Sequence, residues 1–134
     1  MDTRQKKNEA FNHLMNVVLG WKENDPIMQA MQVLGYEDIS DIETMTEDEV
    51  MQFTYIKAVK DSTGTKKLTT TNVPMKQKKM LLHALWWRDY EAKKNMNNLI
   101  TADEWMNLNT ETFERFRCEH AANMAQTSVQ KSIK

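Results

Sequence analysis

The chain has 134 residues, a mass of 15.8 kDa, 40% hydrophobic and 28% charged residues, and a formal net charge of −1. That length is one domain by the usual prior and is enough to bury a sizeable core, and the composition is that of a soluble globular protein. No apolar run approaches the roughly 20 residues of a membrane span, and the near-zero net charge excludes a general polyanion binder.

Three glycines, two prolines and eleven methionines predict a mostly helical chain with adaptable packing. Residues 1–10 read as a flexible N-terminus. Phe11, Leu14, Met15, Val18 and Leu19 then fall at i, i+3, i+4, i+7 and i+8, one stripe on a first helix that stops near Gly20. Asp25 as cap, Pro26 at the first helical position and Gly35 as left-handed terminator bound a second helix, with Ile27, Ala30, Met31 and Leu34 on its inner side. A short helix from Asp41 ends at Met45. The next begins at Thr46, whose hydroxyl and the Glu49 carboxylate form a capping box.

Residues 59–72 hold polar turn residues without a helical period and read as a loop. Pro74 opens the longest helix, which runs to Lys94 with Leu81, Leu82, Leu85 and Trp86 as its apolar side. Thr101 and Glu104 make another capping box, and Asn109 with Thr112 a weaker cap. Residues 126–134 carry no stripe and read as a flexible tail.

The segment Asp41–Phe53 recurs in diverged form as Glu104–Phe116, 63 residues later. Ile42 stands over Trp105, Met45 over Leu108, Val50 over Phe113 and Phe53 over Phe116. Each copy reads as short helix, break, capped helix, too small a unit to bury its own apolar face. The expected fold is therefore all-α: a compact bundle of about six helices in a single domain, residues 11–125, with two related short-helix/helix units around a longer central helix. Common local grammar recurring by chance is the alternative to true duplication, because two copies fall short of the three that mark a solenoid.

Few residues carry chemistry. There is no glycine-rich phosphate loop, no zinc spacing and no nucleophile elbow, so neither a cofactor nor a small-molecule substrate is expected. His13, His83 and His120 are far apart in sequence, and each lies on or beside an apolar stripe. The single Cys118 excludes an internal disulfide, favours an intracellular, cytoplasmic setting, and reads as a small, partly buried residue. No signal peptide is expected, because the segment after the basic N-terminus carries His13 and Asn16 and lacks a cleavage site.

Charge patterning is more informative. Glu23 to Phe53 contains nine acidic residues and no Lys or Arg, a local charge of −9; Thr54 to Lys94 contains ten basic and three acidic residues, a local charge of +7. Lys66, Lys67, Lys76, Lys78 and Lys79 are the candidate phosphate contacts. Asp41, Glu43 and Glu47 are candidates for an acidic interface, with Trp87 as its apolar anchor, since tryptophan is enriched at binding hot spots. Faces that simply meet solvent or pair within the fold are the bland alternative.

The landmarks "VLGYEDISDIETMTEDEVMQFTY", "VPMKQKKMLLHALWWRDY" and "ITADEWMNLNTETFERFR" resemble the N-terminal Gag-like region of Ty1/copia-type retroelement polyproteins of diatoms and related algae. The resemblance runs from Phe11 to Arg117 and contains no catalytic signature. It implies a structural or nucleoprotein role: a non-enzymatic module that associates with other copies of itself, with weak affinity for RNA or single-stranded DNA as an addition. A sterile-alpha-motif-like or helix-hairpin module that binds another protein shares the same local grammar and is the alternative.

Overall fold

A computed structural model of the chain describes residues 3–120. Helix α1 spans Arg4–Asn12, begins with the Thr3 hydroxyl accepting from Lys6 N–H, and runs on as a π-helical segment, His13–Val18. This α1 begins inside the stretch 1–10 that was expected to be flexible. The stripe Phe11, Leu14, Met15, Val18 and Leu19 is buried as expected, and the wide turn ends at Gly20 with φ 71°. Helix α2 spans Pro26–Val33, α3 Ile39–Glu43 and α4 Glu47–Met51.

Two strands follow, β1 at Thr54–Lys60 and β2 at Lys66–Asn72, paired antiparallel from Thr54↔Asn72 to Lys60↔Lys66. They overturn the all-α expectation and replace most of the loop expected at 59–72. The fold is mixed, helical with one β-hairpin. Its physical origin is the β-branched and aromatic content of Tyr55, Ile56, Val59 and Thr69–Thr71 on either side of a tight turn. In that turn Asp61 Oδ1 accepts from the N–H groups of Thr63 and Thr65, and Gly64 takes φ 84°.

Helix α5 covers Met75–Lys93, α6 covers Ala102–Asn107, and α7 covers 110–120. The turn before α6 uses Asn98 at φ 56°, a conformation that Asn tolerates better than most residues. Helix α5 packs on α3 and α4 and meets the second short-helix unit through its aromatic side chains, while α1 packs on both α3 and α6, so the two units share both of these helices.

The repeat has a structural counterpart. Ile42, Met45, Val50 and Phe53 of the first copy are buried, as are Trp105, Leu108 and Phe113 of the second, with Phe116 half-buried. Each copy has a helix, a break and a capped helix. Trp105 is fully buried against Trp87, ring centroids 4.9 Å apart, an aromatic pair that contributes about 0.5–1.5 kcal/mol beyond its area.

The caps behave as follows. Thr101 and Glu104 form the reciprocal box. Thr46 accepts from Glu49 N–H at 3.2 Å, but the Glu49 carboxylate is turned to the Tyr36 hydroxyl, so this box is only half made. Asn109 accepts from Thr112 N–H at 2.8 Å while Thr112 Oγ1 accepts from Asn109 N–H, a reciprocal cap with a hydroxyl in place of a carboxylate. A box not anticipated from the sequence, Asp38 with Asp41, starts α3.

Candidate functional site

The hairpin is the most exposed element. Residues alternate between its faces, so Ile56, Ala58, Leu68 and Thr70 share one face and Tyr55, Lys57, Val59, Lys67, Thr69 and Thr71 the other. Tyr55 and Thr71 are half-buried where the second face leans on the body; the first face is free, with Ile56 56% and Leu68 72% exposed. An isolated two-stranded sheet is marginal in water unless its apolar face is covered. Lys57, Lys60, Lys66 and Lys67 against Asp61 give this arm a charge of +3. Three hydrogen bonds, led by the Thr63 hydroxyl and followed by Thr65 and Thr63 N–H, hold the Asp61 carboxyl below its ordinary range, so it stays ionised and orders the turn.

The five lysines expected to contact phosphate do not form one patch. Lys66 and Lys67 lie on the hairpin. Lys76 and Lys79 are exposed on the first turns of α5. Lys78 is only 3% exposed, and its ammonium donates to the Met51 carbonyl at 2.7 Å, closing the end of α4, so it is removed from the candidate phosphate contacts.

The tryptophans exchange roles. Trp87 is 7% exposed in the core, which overturns its place as an interface anchor. Trp86 is half-buried, and its indole N–H donates to Glu47. The exchange follows from the buried line Lys78, Leu81, Ala84, Trp87, which runs at i+3 steps along α5. Of the acidic candidates, Asp41 is half-buried and accepts from the N–H groups of Glu37 and Asp38, so its carboxylate serves the start of α3. Glu43 is exposed and lines a small hollow beside Arg88. Glu47 begins α4, where Glu47, Asp48 and Glu49 form an exposed acidic turn. Cys118 is exposed, not partly buried.

The histidines far apart in sequence partly converge. His83 and Trp86 of α5 stack with His120 and Phe116 of α7, and Phe116 continues to Tyr90, at centroid spacings of 4.5–5.5 Å. His13 lies elsewhere, with Nε2 2.6 Å from the Leu108 carbonyl oxygen. Burial, then the nearby Arg117 and His120, push the His83 pKa below its ordinary value. No cluster of three metal-ligating side chains occurs among the described residues, and no helix among them is long and apolar enough to cross a membrane.

Sequence reasoning missed a cleft between the end of the π-helical segment, the start of α5, and α7. It holds about 570 Å³ and is walled by Leu19, Trp21, Met80 and the polar side chains of Lys76, Lys79, His83, Glu114 and Arg117. Its signal was split across three distant parts of the chain. No protein-family model, no curated protein and no solved structure matches this chain.

Proposed function

We propose that the chain is a non-enzymatic self-association module of the kind its Gag-like resemblance implies, with the β-hairpin of one copy docking on the acidic α3–α4 region of the next. The observation that carries this reading is the free face of the hairpin: Ile56 and Leu68 stand in solvent on an arm of charge +3, while residues 23–53 of the same chain carry −9. Burying those two side chains contributes roughly 1.5–3 kcal/mol each, and the opposite charges set orientation more than strength. Two hairpins facing each other would bring like charges together. The contact is therefore heterologous, joining two different patches, and it propagates into rings or larger arrays.

Charge exchange tests it. Lys57→Glu with Lys60→Glu should abolish association, as should Asp48→Lys with Glu49→Lys on the other patch. Mixing the two proteins should restore association, as an alternating assembly of the two in equal amounts. A mixture that stays monomeric while the wild type assembles places the contact elsewhere on the surface.

A further inference from the structure

The cleft at the start of α5 is distinct from the hairpin and unused by the contact above. Three cations line it, Lys76, Lys79 and Arg117, against one carboxylate, Glu114, for a local charge of +2. Arg117 is already tied to Glu114 at 2.6 Å, but neither Lys76 nor Lys79 has a carboxylate partner among the described residues. His83 Nδ1 and Arg117 Nε are buried without a hydrogen-bond partner among those residues. Both belong to residues that line the cleft, and such atoms are few, because buried polar groups are satisfied in the great majority of cases. The rest of the lining is largely apolar: Leu19, Trp21 and the half-buried Met80.

We propose that this cleft binds an organic phosphate, with the anion held by Lys76, Lys79 and Arg117 and an apolar or aromatic body laid against Leu19, Trp21 and Met80. The volume lies within the 300–1,000 Å³ common for small-ligand sites, which pair an apolar wall with a few polar groups. A phosphate suits the donor set because guanidinium and ammonium groups form their strongest hydrogen bonds to anionic oxygens. A bare apolar ligand would leave the lysines unanswered, and a dianion without a body would leave the apolar wall wet.

His83 makes the site sensitive to pH. Facing it are Lys79 and Trp86 of its own helix and Glu114, Arg117 and His120 of α7. Burial and the cationic neighbours disfavour the imidazolium in the free protein, and a bound anion offsets those neighbours and favours it. Binding therefore takes up a proton and tightens as pH falls through the histidine range.

The experiment is titration of the protein with adenosine monophosphate and with inorganic phosphate, followed by calorimetry and by amide and indole NMR shifts, at pH 8 and pH 6. Saturable binding of the nucleotide is expected, stronger than that of phosphate and stronger at pH 6, with shifts centred on Trp21, Met80 and His83. Lys76→Gln with Lys79→Gln, both exposed positions, should fold normally and bind about tenfold more weakly. A short single-stranded oligonucleotide distinguishes a free nucleotide from one within a strand: saturation by the oligonucleotide alone, with the same shifts, assigns the strand. Three results would overturn the proposal: no binding by either nucleotide form, equal affinity for nucleotide and inorganic phosphate, or unchanged affinity in the double lysine variant.

Discussion

Arg88 Nη1 lies 2.7 Å from the carbonyl oxygen of Met45 and 2.8 Å from that of Ile42, so one guanidinium nitrogen from α5 closes the end of α3. The corresponding oxygen of the second copy, on Leu108, is met by His13 from the end of α1. The Met45 and Leu108 carbonyls stand at the break between helices, past the last turn of the short helix, and a side chain from another helix supplies a donor to each. The Ile42 carbonyl, which already accepts from Met45 N–H, gains the guanidinium as a second donor. Replacing Arg88 with Met keeps much of the stem and removes both bonds. The loss should be on the order of 2 kcal/mol, because a partly buried carbonyl pair loses a charged donor, and Arg88→Lys should recover part of it. Urea unfolding at constant slope reads this out, and an Arg88→Met protein as stable as the wild type would mean that water replaces the guanidinium without cost.

The caps offer a graded comparison. Thr46→Ala removes a single acceptor and should cost ~1 kcal/mol, whereas Thr101→Ala breaks a reciprocal box and should cost at least as much. Ser or Asn at either position should be nearly neutral. Equal losses for Ala, Ser and Asn at Thr46 would show that the hydroxyl is not acting as a cap.

Neighbouring lysines should behave oppositely. Lys78→Ala removes a buried stem and the donor to Met51, and should destabilise by about 2 kcal/mol, while Lys76→Ala, at an exposed position, should change stability little. Thermal unfolding of the two variants side by side decides; indistinguishable midpoints would place Lys78 in solvent.

The His83 shift fixes the sign of a pH effect. Its folded pKa lies below the ordinary value, first through burial and then through Arg117 and His120, so the unfolded chain binds the proton more readily. Stability contributed by the neutral ring is complete above the unfolded pKa of about 6.5 and declines as pH falls through that value toward the lower folded one. Denaturation at pH 7.5 and pH 5.5 should show a loss in the wild type that is smaller in His83→Gln. An identical pH slope in both proteins would mean that another group titrates.

Much of the helical framework was legible, because stripes such as Phe11–Leu14–Met15–Val18 and caps such as Thr101–Glu104 are local patterns. The hairpin was not. Its strands are exposed on nearly both faces, so no clean period-two alternation of apolar residues marks them, and the β-branched and aromatic content of Tyr55, Ile56, Val59 and Thr69–Thr71, with the glycine in the turn, was the signal. The inner side of α5 was misjudged for a related reason: Lys78 and Arg88 occupy buried or half-buried places there, each serving carbonyls at a helix end, and charge in a sequence reads as surface. With those places misassigned, Trp86 was turned inward and Trp87 outward.

The most direct measurement is multi-angle light scattering across a concentration series for the wild type and for Ile56→Thr with Leu68→Thr, at low and high salt. Threonine keeps β propensity while removing apolar area, so the hairpin persists and its free face becomes polar. Docking through the free face of the hairpin predicts a mass that rises with concentration in the wild type, falls with added salt because exposed charges are screened over ~8 Å at physiological ionic strength, and stays at one chain in the double variant. A wild type that remains a single chain at every concentration and salt level, or a double variant that assembles as readily as the wild type, would contradict it.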